Sequence, residues 1–278
     1  MATPFPFPSD RPTVMGILNA TPDSFHADSR VQGAAAVQAG VDMVEAGADV
    51  LDLGGQSSRP GAHRIGADAE WDRIAPVIEG LLVQVPHTPI SIDTFHASVA
   101  RRAIEAGAHW INDISAGTLD PNMVGTVAEV GVPYIAMHMQ GTPDTMQVRP
   151  QYSDVVAEVR DHLSARLGEL RAAGIQHIAL DPGFGFGKTL AHNYAMLSGL
   201  PELKALGCPL LVGVSRKSMI HKALDITPSD ALNGTTALHA WALDRGADIL
   251  RVHDVREALE CVRLHQYLHG RKSDGRDD

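Results

Sequence analysis

Cysteine is nearly missing from this chain. Of 278 residues only Cys208 and Cys261 are cysteines, and neither falls in a CxxC or Cys/His spacing. That excludes a structural zinc site and a disulfide framework, and the expectation is a reducing cytoplasm. Cations are also short: 23 Lys and Arg face 33 Asp and Glu, a formal charge of -10. A general nucleic-acid binder needs a basic face, so no nucleic-acid partner is expected. A small anionic substrate is still allowed, because a few cations can dominate one pocket. The stretch Met1 to Asp10 carries prolines but no basic region leading into an apolar run. Neither a signal peptide nor a membrane span is expected. No Gly-x-Gly-x-x-Gly opens a helix after an early strand, which disfavours a doubly wound dinucleotide fold.

What is present is an ordinary globular composition, 44% hydrophobic and 20% charged, in a length typical of a single α/β barrel. Thr13 to Asn19 is the first strand candidate, and a helical pattern follows from about Gly33 to Ala46. One unit then keeps returning: a helix, a glycine, and a short apolar run that finishes on polar residues. Gly47, Gly107, Gly131, Gly174, Gly207 and Gly246 each stand in that place. Each glycine suits a left-handed helix C-cap, and each run suits a strand buried on both faces. Pro89 to Asp93 adds a strand without the glycine, for eight in all. The pattern predicts an α/β protein, a single-domain (β/α)8 TIM barrel over 13–269. An irregular arm is expected at 1–12 and a charged, disordered tail at 270–278.

Barrel enzymes carry their chemistry at the C-terminal ends of the strands. The polar residues ending these runs are Asn19, Asp52, Asp93, Asn112, His138, Asp181, Ser215 to Lys217, Arg251 and His253. Ile178 to Lys188 is the sharpest case: a buried strand stops at Asp181, then Pro182 and three glycines follow. A carboxylate there is costly unless something binds it. Asp93, Asn112 and Asp181 suit a heterocycle edge, because a carboxylate takes two parallel hydrogen bonds and an amide donates and accepts. Each alone also fits a helix cap; three at strand ends do not. The cations Arg59, Lys217 and Arg251, with His253, suit phosphate oxygens. Pro182 to Thr189 falls one residue short of a phosphate-loop motif, with Pro where its first Gly belongs. The barrel repeat excludes that reading. A zinc-hydrolase barrel is disfavoured too, since the first strand carries no His-x-His.

With these residues assembled, the chain resembles the dihydropteroate synthases from about Val14 to Ala258. The motifs are Met15 to Phe25, Asp52 to Gly61, Ser91-Ile-Asp-Thr94, Asn112-Asp-Ile114, Met137-His-Met-Gln-Gly141, Leu180 to Lys188, Gly213-Val-Ser-Arg-Lys217 and Arg251-Val-His-Asp254. The resemblance implies condensation of 6-hydroxymethyl-7,8-dihydropterin pyrophosphate with para-aminobenzoate, by a dissociative, SN1-like path. It assigns Asp93, Asn112, Met137, Asp181 and Lys217 to the pterin. Asn19 would ligate a magnesium ion (Mg2+) carried by the pyrophosphate, with Ser58, Arg59, Arg251 and His253 on its oxygens. Phe25, Pro60, Phe186, Lys217 and Ser218 would form the aminobenzoate pocket. It also implies a homodimer, and loops after strands one and two that keep water out.

Two departures stand out against the family's pattern. Gln56 and Ser58 replace the usual Glu and Thr of its second-strand loop. In the first loop Ala27 takes the place of the family's aspartate, and Asp28 is displaced by one. Two alternatives stay open on the sequence: a pterin barrel of the methyltetrahydrofolate methyltransferase type, and a catalytically idle pterin-binding paralogue. The strings Ser57 to Pro60 and Ser215 to Lys217 favour the synthase.

Overall fold

The computed structural model describes residues 10–20, 29–56 and 64–270. Most of the expected arm and the tail beyond Gly270 lie outside the described residues. Eight parallel strands are present: β1 (Thr13–Asn19), β2 (Val50–Gly54), β3 (Ile90–Asp93), β4 (Trp110–Asp113), β5 (Tyr134–Met137), β6 (Ile178–Asp181), β7 (Leu211–Val212) and β8 (Ile249–Val252). They pair in the order β6-β5-β4-β3-β2-β1-β8-β7. A single parallel bridge, Leu180 to Leu210, joins the two ends and closes the barrel.

Ten α-helices cover the outside among the described residues: α1 (Ser29–Glu45), α2 (Ala67–Gln84), α3 (Ala97–Glu105), α4 (Met123–Val130), α5 (Val155–Ala172), α6 (Leu190–Ser198), α7 (Leu200–Lys204), α8 (Ser218–Leu224), α9 (Leu232–Asp244) and α10 (Val255–Leu268). The six glycines of the repeat all have φ between +68° and +106°. Only glycine adopts that conformation freely, so each helix stops and the chain turns into the next strand. The seventh strand is shorter than the apolar run predicts. After Gly213 the chain bends, with Lys217 N–H donating to Val214 O at 3.1 Å, and Arg216 sits at φ +53°.

The strand pattern places the site. Side chains alternate between the two faces of a strand. Met15, Val50, Trp110, Ile135, Ala179, Leu211 and Ile249 pack together as one buried cluster inside the barrel. The residue two positions further along each strand faces the same interior, one layer nearer the C-terminal mouth. Those residues include Asp52, Asn112, Met137, Asp181 and Arg251, and Asp93 follows Ser91 in the same way on β3. The opposite face carries Val14, Leu51, Ile90, Ile92 and Ile111 into the larger core beneath the helices. An apolar floor thus carries a polar ring directly above it.

Candidate active site

Asp52 is the hub of that ring. It is fully buried, and its Oδ2 accepts Arg251 Nε at 2.6 Å and Asn112 Nδ2 at 2.9 Å. Arg251 Nη2 donates to Asp93 Oδ2 at 2.7 Å. One guanidinium is therefore held between two carboxylates from neighbouring strands. Because Asp52 can only accept, the Asn112 amide is oriented with its nitrogen toward the hub. Its oxygen and second N–H are left for the cavity.

Burial and neighbouring charge set the protonation of the ring. Burial pushes the Asp93 carboxyl up to about 7; Arg251 opposes this, while Asp52, Asp113 and Asp181 add repulsion. Burial also raises Asp181, against the pull of Lys217 and of the Gly183 N–H, which donates to Asp181 Oδ1 at 2.7 Å. Burial lowers Lys217 to about 8, with Asp181 pulling the other way. Arg251 is pressed down by burial, but Asp52 and Asp93 outweigh it and keep it above its ordinary range.

The other expected residues take various places. Met137 is buried beside Phe95 and Ile114, with Phe186 packed against that group. Lys217 Nζ donates to Phe184 O and lies 5.0 Å from the centroid of the Phe186 ring. Ser218 is exposed at the start of α8, and Asn19 is exposed at the end of β1. His253 is half-buried, and its Nδ1 and its backbone N–H lie 3.0 and 3.1 Å from Ser215 Oγ. Arg216 leaves the group of cations expected at Ser215 to Lys217: it makes a two-pronged pair with Asp254 at 2.8 Å. That pair holds the strained backbone at Arg216 beside the inward-turning Lys217. Phe25, Ser58, Arg59 and Pro60 lie outside the described residues.

Two residues of the site region, Lys188 and Glu70, have no role assigned from the sequence, and a third, Asp52, is a strand-end candidate whose partners the sequence does not show. Lys188 stood in the glycine motif and turns out buried beneath it. Glu70 reads as an ordinary acidic residue in the first turn of α2, yet it is fully buried. Its Oε2 accepts Thr94 Oγ1 at 3.1 Å and Gln56 Nε2 at 3.0 Å. The Gln56 departure thus places an amide donor, not a second carboxylate, against Glu70.

Burial raises Glu70 to about 8 from an ordinary 4.5. Between those values the folded chain holds a proton that the unfolded chain has released, so stability falls as pH rises through that window and then levels off. Glu70→Gln removes the titration. The expected result is a Tm that drops less between pH 5 and pH 8.5 than in the unsubstituted protein. Parallel Tm curves for the two proteins would refute the buried proton.

Among the described residues no group of three or more His, Cys, Asp or Glu is placed to hold a metal. Asn19 is exposed, and its side-chain oxygen is of the hard type that a magnesium ion takes.

Fold and mouth define the class: a (β/α)8-barrel enzyme with buried ionisable groups ringed at the C-terminal ends of its strands. The pterin binding enzyme family matches residues 15–253. The dihydropteroate synthase of Escherichia coli K12 is 44% identical over 257 residues, covering 91% of this chain and 90% of that protein. Xanthomonas albilineans dihydropteroate synthase, solved with 4-aminobenzoic acid, superposes with a TM-score of 0.87 at 43% identity, covering 94% of each chain. The same enzyme in complex with 7,8-dihydropteroate gives a TM-score of 0.84 at 40% identity, again over 94% of each chain. The chain belongs to the pterin-binding enzymes, in the dihydropteroate synthase family.

Proposed function

We propose that this protein is a pterinylmethyl transferase of folate biosynthesis that joins 6-hydroxymethyl-7,8-dihydropterin pyrophosphate to para-aminobenzoate, releasing pyrophosphate. The observation that carries the reading is the interior ring: Asp93, Asn112 and Asp181 gathered around Arg251, with Lys217 reaching in from the loop after β7. Asp181 Oδ1 accepts the Gly183 N–H with one lone pair, which leaves its other lone pair and Oδ2 for adjacent N–H and NH2 donors of a pterin edge. Asn112, turned by Asp52, meets a mixed edge with its oxygen and remaining N–H. Met137 supplies an apolar surface for the flat ring.

Arg251 and His253, at the end of β8, take the developing charge of the departing diphosphate, together with Ser58 and Arg59. A magnesium ion held through Asn19 would neutralise further phosphate charge when bound. The carboxylates of Asp93 and Asp181 favour positive charge growing on the pterin methylene, which suits a dissociative path. The aryl amine of aminobenzoate then attacks from a pocket of Phe25, Pro60, Phe186, Lys217 and Ser218. No covalent enzyme nucleophile is required.

A homodimer is part of the same proposal. It is supported by exposed Trp241, Leu264, Tyr267 and Leu268 on the neighbouring helices α9 and α10. No described helix is long and apolar enough to cross a membrane. The test of the function is a coupled assay for pyrophosphate release with the pterin pyrophosphate, magnesium and aminobenzoate. Release that needs both organic substrates is expected. Pterin binding without release would favour an idle binder, which the Gln56 and Ala27 departures leave as the second reading.

A further inference from the structure

The loop from Gly183 to Lys188 has no regular secondary structure, yet each of its carbonyls has a side-chain donor. Gly183 O and Phe186 O accept Lys188 Nζ at 3.1 and 3.2 Å. Phe184 O accepts Lys217, and Gly185 O accepts Gln147. Gly187 O takes the Tyr152 hydroxyl at 3.0 Å, and Lys188 O takes Asn193 Nδ2 at 3.3 Å. Loops ordinarily leave such groups to water. This one is tied down by side chains from several elements.

Lys188 is the centre of these ties. It is 3% exposed, and its third contact is His138 Nδ1 at 3.0 Å. As an ammonium Lys188 has three hydrogens and no acceptor, one each for Gly183, Phe186 and His138. None is left for a substrate. Burial lowers Lys188 to about 7, with Asp181 pulling the other way. With the Lys188 ammonium donating to Nδ1, His138 carries its hydrogen on Nε2, and burial and the Lys188 charge push the ring down to about 2. Position 183 has to be glycine: its φ is +69°, and a Cβ there would lie 1.9 Å from His138 O.

We propose that Lys188 is a positioning residue of the condensation, fastening the glycine loop so that the Phe186 ring and the Phe184 carbonyl, and through them Lys217, face the incoming aminobenzoate. It touches neither substrate. The idea rests on the function proposed above, because it names Phe186 and Lys217 as the aminobenzoate side of the site. The pterin contacts on β3 and β4 are not bonded to this lysine, and Asp181 on β6 meets it only through Gly183 and its charge, whereas Phe186 is held by it directly. Its removal should therefore divide the two substrates.

The test substitutes Lys188→Met, which keeps the length and removes the donors. The expected result is a KM for 4-aminobenzoate raised about 10-fold or more, with pterin pyrophosphate affinity changed less than about 3-fold. Hydrogen exchange on the substrate-free protein gives a second readout. The Phe186 amide, which donates to Gly183 O at 3.1 Å, should exchange at least about 10-fold faster. Amides in the buried turns of α5 around Val159 and Leu163 should not change. If Lys188→Met does not fold, Lys188→Arg keeps the charge but cannot reproduce the three-point seat, and the same ratio of effects is expected. An unchanged aminobenzoate KM with unchanged Phe186 exchange overturns the proposal, and so does an equal loss for both substrates. If the unsubstituted protein releases no pyrophosphate, the proposed function fails, and the exchange experiment still decides whether Lys188 holds the loop.

Discussion

Asp181→Asn is expected to lower kcat/KM for the pterin pyrophosphate by about 10³-fold or more, while Tm stays the same or rises. The two halves have one cause. Asn can still accept the Gly183 N–H that Asp181 Oδ1 takes at 2.7 Å, so the turn survives. The second oxygen becomes an NH2 group, which meets the donors of the pterin edge with more donors. A buried site whose hydrogen-bonding groups are mismatched loses discrimination on this scale. Stability moves the other way, since burial disfavours the Asp181 charge in the absence of ligand. Steady-state kinetics and calorimetry on the same preparation check both. A drop in activity matched by a large drop in Tm would make Asp181 a structural residue.

Arg251→Met is the second large effect, and here stability and chemistry should fall together. The guanidinium neutralises Asp52 and Asp93 at 2.6 and 2.7 Å, and Asp52 is fully buried. Removing one partner of a buried pair leaves uncompensated charge and costs about 3–5 kcal/mol. For a barrel of this size that is about 10 °C in Tm. The loss depends on pH in a stated direction. Asp93 already sits near 7 in the presence of Arg251, so without it the folded value moves higher, further above that of the unfolded chain. The folded variant then holds its proton to a higher pH, so its stability goes on falling above about pH 7, where the Asp93 contribution in the parent levels off. The gap between variant and parent should be small at pH 5 and largest above pH 8. Adding Asp52→Asn to Arg251→Met should recover part of it. A gap independent of pH would point to lost packing instead.

Much of this architecture was legible in the residues. The first strand was read at Thr13 to Asn19, where β1 lies, because an apolar run ending on a polar residue is a local pattern. The glycine repeat was equally legible, since a left-handed cap needs only its own residue. The short β7 was not, because the bend after Gly213 depends on Arg216 reaching Asp254, 38 residues away. Distance along the chain also hid the hub. Asp52 and Arg251 are 199 positions apart, and a strand-end carboxylate looks the same whether it binds a ligand or an arginine. Lys188 was misleading in another way: it stands in a string close to a phosphate loop, but its side chain folds back under its own glycines. Glu70 left no trace, because a first-turn glutamate is commonplace at a helix surface.

The most direct measurement is a crystal structure with the pterin pyrophosphate bound. The ring should lie above the apolar floor, its N–H and NH2 edge on Asp181 and its other polar groups near Asn112 and Asp93. The diphosphate should lie beside Arg251 and His253, at the same mouth. A ring lodged away from Asp181, or a diphosphate that avoids Arg251 and His253, would contradict the account.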